Sequence, residues 1–208
     1  MKERFDFVKG QLKMHETPKD PGVMLDAWLQ NAQANSVSEY QAMVVATVDN
    51  KHQVSTRVVY LRDIIADGLV FYTNFNSRKG LDIKKNSEVA INFFWKELEQ
   101  QIRIQGTIKI VNPDVSDAYF RERPRESQIG AWASDQSKQI PNRAYLEQQL
   151  IRYQNEFDGG PVPRPEHWGG YKVIPHYFEF WQGRKNRLHD RICYSKKNGL
   201  WSKSRLAP

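Results

Sequence analysis

Cysteine is nearly absent. Cys193 is the single thiol in 208 residues, so no intrachain disulfide and no cysteine-rich zinc site can form. Long apolar runs are missing as well. The longest, Ala42 to Val48, is broken at Thr47 and falls far short of a membrane span. No apolar segment follows the charged start at Lys2, so no secretory signal is read and a cytoplasmic protein is expected. Glycine (12) and proline (10) are too few for a collagen-like or low-complexity chain. Neither G-x-G-x-x-G nor G-x-x-x-x-G-K-[ST] occurs, which leaves the common dinucleotide and P-loop chemistries unsupported. H-E-x-x-H and G-x-S-x-G are absent too, and His15, His52, His167 and His176 have no metal-ligand spacing. No metal site is expected.

What remains is basic and aromatic. Hydrophobic residues make up 39% and aromatics 12%, enough for a packed core. Thirty-one Lys and Arg against 24 Asp and Glu give +7 and a pI near 9.4. Such a field draws anions. The cations come in small groups (Arg57 and Arg62, Arg78-Lys79, Arg121 to Arg125, Arg184 to Arg191) with no run of five like charges. Scattered groups suit compact phosphates better than a polyanion groove. A solvated basic surface is the plainer alternative.

Periodicity supplies the elements. Phe5, Val8 and Leu12 suggest a weak helix over 1–16, and Asp20-Pro21 reads as an N-cap before a helix ending near Asn35. The N-terminal arm, about 1–36, is thus read as helical. Strands are expected at 42–48, 53–62, 69–74, 89–95, 100–111, 171–182, 191–194 and 201–206. In 100–111, Ile102, Ile104, Gly106, Ile108 and Ile110 share one face. Helices are expected from Ser77 toward Asn86, over 113–123 before Pro124, and over 142–157. No linker interrupts the chain, so 1–208 reads as one α+β, mainly β, domain built as a small barrel with flanking helices.

Three places concentrate chemistry. Ser77-Arg78-Lys79-Gly80 lies at a strand-to-helix junction, where free N–H groups and two cations can meet a phosphate. An exposed basic turn is the commoner reading. Arg57 and Arg62 sit five apart, so strict alternation puts them on opposite strand faces unless the strand ends between them. Tyr119 and Arg123 share a helical face, with Ser127 just beyond Pro124. A capped, solvated helix end would look the same. Arg187, His189 and Arg191 alternate onto one strand face, and a histidine between arginines favours an anion among them. Trp181, beside Phe178 and Phe180, suits a core or the wall of a planar ring. Cys193 reads as a small buried residue.

Several ordered segments carry a resemblance. They are Phe71-Tyr72-Thr73-Asn74 through Ser77-Arg78-Lys79-Gly80, Arg123-Pro124-Arg125-Glu126-Ser127 through Trp132 and on to Gln136-Ser137, Trp168-Gly169-Gly170-Tyr171, Phe180-Trp181-Gln182-Gly183 through Arg187-Leu188-His189-Asp190-Arg191, and Arg205-Leu206-Ala207-Pro208. From Asp20-Pro21 to Pro208 the chain resembles the pyridoxine (pyridoxamine) 5′-phosphate oxidases. The resemblance implies an FMN-binding split β-barrel that works as a homodimer. It implies oxidation of phosphorylated B6 vitamers to pyridoxal 5′-phosphate, with O2 as acceptor and H2O2 as product. By matching position, Arg57, Val58, Val59, Tyr60, Leu61 and Arg62, with Tyr72, Thr73, Arg78, Lys79 and Gln101, would hold FMN. Gln136, Ser137, Trp181 and Arg191 would complete that site from the other subunit. Arg62, Tyr119, Arg123 and Ser127 would grip the substrate phosphate. Arg187, Leu188 and His189 would bind the substrate at its ring, with Arg187 and His189 catalytic. Two departures stand out. Arg62 occupies a position where the family usually has Lys, which changes geometry and reach. Glu39-Tyr40-Gln41-Ala42-Met43 replaces the usual Glu-Pro-Asn-Ala-Met. The alternatives are a split-barrel flavoprotein with another substrate and a basic barrel that binds nucleic acid, the second carrying a steep salt dependence. No nucleic acid partner is expected, and the lack of apolar runs leaves no membrane partner expected.

Overall fold

Asp20 starts the first helix as the sequence suggests. Its Oδ1 accepts the Gly22 N–H at 2.8 Å and Pro21 takes the first turn of α1 (Pro21–Ala34), which buries Met24, Leu25, Trp28, Leu29 and Ala32. The computed structural model describes residues 6–66 and 68–208. After α1 come β1 (Ala42–Val48), β2 (Val54–Tyr60), β3 (Asp63–Ile65), β4 (Gly68–Asn74), α2 (Arg78–Lys85), β5 (Glu88–Trp95) and β6 (Gln100–Ile110). Then follow α3 (Pro113–Glu122), α4 (Arg125–Ala133), α5 (Arg143–Glu156), β7 (Trp168–Gln182), β8 (Asp190–Lys197) and β9 (Leu200–Leu206).

All strand pairs are antiparallel and run in the order β2-β1-β5-β6-β7-β4-β3, with β8 and β9 beyond β7. The split lies in β7, whose 15 residues exceed any one partner on its second edge. β6 pairs along one edge, with a bulge at Gln105/Gly106 where a Cβ would strike the Ile174 carbonyl. On the other edge β7 pairs first with β4, from Trp168 to Val173, and then with β8, from Tyr177 to Gln182. Residues 60–63 carry the chain from one end of the sheet to the other, and the Arg62 N–H donates to the Val70 carbonyl at 2.8 Å. The curled sheet encloses one core of Phe71, Phe93, Ile102, Ile104, Phe180, Ile192 and Tyr194, against which α1 packs. A second, smaller cluster of Phe120, Ile129, Val162 and Trp168 sits under α3 and α4.

Four expectations need correction. Residues 6–16 form no helix, because their backbone donors find tertiary partners: Val8 and Lys9 N–H donate to Glu99 Oε2, and Leu12 N–H to Asp190 Oδ2. Phe5 lies outside the described residues. Pro124 ends α3 and also opens α4, since its fixed φ of −52° suits a helix entry; a proline read only as a stop hides that helix. β3 has only three residues, too few for a pattern. Ile110 leaves the buried row at the end of β6 and is 61% exposed.

Candidate functional site

Two groups of the expected residues form, and they are distinct within the chain. The first is a cationic cradle. Ser77 caps α2 by accepting the Gly80 N–H, and Gly80 is required because a Cβ would collide with the Phe75 carbonyl. This tight turn sets Lys79 beside β4. Its Nζ donates to Gln136 Oε1 at 2.7 Å, Thr73 Oγ1 at 3.1 Å and Ser77 Oγ at 3.3 Å. All three acceptors are neutral. Burial, with Arg57 nearby, pulls the Lys79 ammonium down to about 8. Gln136 thus lies beside Lys79 of the same chain. Ser137 follows it, exposed and left-handed at φ 73°.

The cleft over Lys79 measures ≈ 300 Å³ and is lined by Val58, Val59, Tyr60 and Arg62 on one side. Tyr72, Thr73, Tyr119, Arg123, Gln136 and Trp168 complete it. β2 ends at Tyr60, so alternation lapses and Arg62 turns into the cleft, its guanidinium 4.9 Å from the Tyr60 ring centre. Tyr72 stacks on Tyr119 at 3.8 Å, with Trp168 beyond it at 5.5 Å. Burial raises the Tyr72 hydroxyl to about 12, so it stays a neutral donor. Arg123 lies over Trp168 at 4.5 Å, and its Nη1 is buried without a hydrogen-bond partner among the described residues. Burial also lowers its affinity for a proton. Ser127 lines an adjoining cavity of ≈ 250 Å³ that shares Arg123, Gln136 and Trp168.

Three expected members stand back from the cleft. Leu61 is buried in the core and its N–H donates to Gln41. Arg57 turns beneath, donating to Thr47 Oγ1 at 2.7 Å and lying 4.0 Å from Asp82. Arg78 is half exposed and divided between Asp82 at 3.0 Å and Asp49 at 2.9 Å.

The second group is a row across three strands. Register aligns Gln101 on β6 with Trp181 on β7, and Trp181 with Arg191 on β8. Gln101 Nε2 donates to Asn92 Oδ1 at 2.8 Å. Arg191 Nε donates to Glu179 Oε1 at 2.8 Å. His189 packs on Trp181, ring centres 4.7 Å apart, with Phe7 edge-on to both. The His189 Nδ1 accepts the Arg184 N–H at 3.1 Å, and burial with the Arg187 charge lowers its pKa. The neutral ring thus carries its proton on Nε2. Arg187 and His189 do not share a strand face with Arg191, contrary to the alternation reading, because β8 begins only at Asp190. Arg187 sits in an exposed turn, left-handed with Asn186 at φ 62° and 57°, and Leu188 is 69% exposed.

Sequence reasoning missed the roles of Trp168, Asp82 and Glu179. An acidic residue inside an aromatic run, as in Phe178-Glu179-Phe180, is the signal that would have found the last. Among the described residues no cluster of His, Cys, Asp and Glu could hold a metal, and no helix is long and apolar enough to cross a membrane.

Could this cradle hold FMN? A half-buried lysine with only neutral partners and a half-buried arginine with a buried, orphan Nη1 both lack an anion among the described residues, so a phosphate monoester fits. Fold and cleft together define a split-barrel protein with a cationic, aromatic-walled pocket. The chain belongs to the pyridoxine/pyridoxamine 5′-phosphate oxidase family: the family model described as pyridoxamine 5′-phosphate oxidase matches residues 29–155. A second model, the pyridoxine 5′-phosphate oxidase C-terminal dimerisation region, matches residues 168–208. A pyridoxine/pyridoxamine 5′-phosphate oxidase of Cytophaga hutchinsonii is 49% identical over 207 residues, covering 99% of this chain and 96% of its own. A relative in Hydrogenovibrio crunogenus, named pyridoxine/pyridoxamine 5′-phosphate oxidase 2, is 45% identical over 97% of this chain and 95% of its own. Among solved structures, PhzG from Burkholderia lata 383, in complex with tetrahydrophenazine-1-carboxylic acid, superposes with a TM-score of 0.89 at 29% identity. That match covers 94% of this chain and 96% of PhzG.

Proposed function

We propose that the protein oxidises pyridoxine 5′-phosphate or pyridoxamine 5′-phosphate to pyridoxal 5′-phosphate, using FMN and O2. The observation that carries this is the orphan Nη1 of Arg123, buried over Trp168 in the same cleft as Lys79. Two separate cations without counterions suit two phosphate esters, one on the flavin and one on the substrate. FMN, when bound, would supply the hydride acceptor for oxidation at C4′ and the route by which the electrons reach O2 to give H2O2. The alcohol yields the aldehyde directly; the amine needs one water and releases ammonia.

This chain's residues do the rest. Lys79, with Thr73 and Gln136, would hold the flavin phosphate. Arg123, Tyr119, Ser127 and Arg62 would anchor the substrate phosphate, and that uniform grip sets affinity more than rate. Gln101, Trp181 and Arg191 would meet the flavin ring system, while Arg187 and His189 face the substrate ring. His189 offers its Nε2–H as a donor there. The row and the cradle of one chain form separate groups, which supports a homodimer in which each site joins the cradle of one subunit to the row of the other.

The test is oxygen-dependent formation of pyridoxal 5′-phosphate by FMN-reconstituted protein, with each vitamer phosphate supplied in turn. Product from at least one, with stoichiometric H2O2, is expected. Flavin bound but neither vitamer oxidised would overturn the substrate assignment. Turnover of a reduced phenazine carboxylate instead would place the chain with PhzG.

A further inference from the structure

β7 carries one acidic residue amid aromatics: Tyr177-Phe178-Glu179-Phe180-Trp181. Alternation sends Phe178 and Phe180 into the core and Glu179 to the opposite face, beside Trp181. There it should meet solvent, yet it is 2% exposed. Register sets Arg103 of β6 and Cys193 of β8 on either side of it, one step along from the row of Gln101, Trp181 and Arg191. Glu179 Oε1 accepts from Arg191 Nε at 2.8 Å; Oε2 accepts from Arg103 Nη1 at 3.0 Å and from the Tyr177 hydroxyl at 3.1 Å. Burial pushes the carboxyl up, but Arg191 and Arg103 outweigh it and hold the group ionised.

A buried ion pair contributes little net stability and much orientation. Here the orientation is specific. Arg191 Nη1 donates to the Ala207 carbonyl at 2.8 Å, so the guanidinium is held at Nε and Nη1. Only Nη2 lacks a protein partner among the described residues.

We propose that Glu179 is a positioning residue of the ring row, fixing Arg191 so that its remaining donor is presented to the flavin. The inference rests on the reading of Arg191 as a flavin contact. Arg103 serves it as the counter-charge that keeps the second carboxylate oxygen satisfied, which leaves Oε1 for Arg191.

A double-mutant cycle on FMN binding tests it. Apoprotein of the wild type, Glu179→Gln, Arg191→Leu and the double variant is titrated with FMN, following flavin fluorescence quenching. Each single change should weaken binding about tenfold, as for loss of a charged hydrogen bond. The double variant should bind no more weakly than Arg191→Leu alone. Losses that multiply, or wild-type binding by Glu179→Gln, would overturn the inference while leaving Arg191 as a flavin contact. Wild-type binding by Arg191→Leu would overturn that contact, and the inference with it. A merely structural carboxylate would lower the melting temperature without this coupling. Should Glu179→Gln fail to fold, Glu179→Asp keeps the charge and shortens the reach. Its expected loss is a few-fold, again absent in the Arg191→Leu background.

Discussion

The cradle and the row both gather arginines and lysines, but they treat charge in opposite ways. In the row, cations come with their own carboxylates: Arg191 with Glu179, and Arg184 and Arg205 with Asp190. In the cradle, Lys79 has only neutral acceptors and Arg123 has an orphan Nη1. Charge neutralised in advance suits a neutral planar ring, which needs fixed donors. Charge left unmatched suits a ligand that brings its own negative charge. Arg57 and Arg78 are the instructive exceptions. They lie at the cradle yet pair with Asp82 and Asp49, so they shape its floor more than they attract the phosphate.

If this contrast is right, losing a cation of the cradle should weaken binding, while losing a group proposed to face the substrate ring should slow chemistry. The largest effect is expected from Arg187→Leu. Misplacing the ring by about 1 Å can cost on the order of a hundredfold in kcat, with flavin content unchanged. Steady-state kinetics with parallel absorbance spectra check this, and loss of flavin with normal kcat would erase the contrast. Lys79→Met should come next, weakening FMN by ten- to hundredfold, or roughly 1.5–3 kcal/mol. Titration of the apoprotein measures it. Arg123→Leu should raise KM for the phosphorylated substrate about tenfold with kcat nearly preserved. A fall in kcat at constant KM would move Arg123 from anchor to ring.

Acidity probes the same lysine. Its pKa in the folded chain is about 8, below the ordinary 10.5, so above about 8 the folded apoprotein binds fewer protons than the unfolded chain. Apoprotein stability should therefore rise with pH between those two values. Affinity for FMN should do the reverse, falling up to about tenfold from pH 7 to pH 9 as the ammonium is lost. Lys79→Met should flatten that profile, and an unchanged slope would acquit Lys79. The smallest effect belongs to Arg78→Ala. Its guanidinium is 52% exposed and already shared by two carboxylates, so FMN affinity should change only a few-fold. A hundredfold loss would mean that Arg78 leaves Asp49 for the phosphate.

Much of the cradle is legible in the sequence because its signals are local. Ser77 caps α2 from three residues away, and Tyr119 on α3 and Arg123 at its C-cap, four residues apart, both line the cleft. The row depends on register across β6, β7 and β8, which no local pattern encodes; only the resemblance put Gln101, Trp181 and Arg191 together. Alternation failed at Arg187 because two left-handed residues break the strand before it begins. It failed at residues 6–16 for a different reason: their backbone partners, Glu99 and Asp190, lie far along the chain. The contact of Gln136 with Lys79 left no sequence signal, because the two are 57 residues apart.

The pairing of β6 with β7 has a consequence for the order of folding. Tyr119, Arg123, Ser127 and Gln136 all belong to the segment between these two strands, while Lys79 sits before them on the far side of β4. The segment closes as a loop only when β6 and β7 zip together, and it is set against Lys79 only when β4 has joined β7. Such distant pairings carry a loop-closure cost before any contact repays it, and they form late and slowly. The cradle is thus among the last parts to mature. During refolding, FMN should leave the early rate unchanged and act only after the sheet is complete, as a lock on the finished barrel.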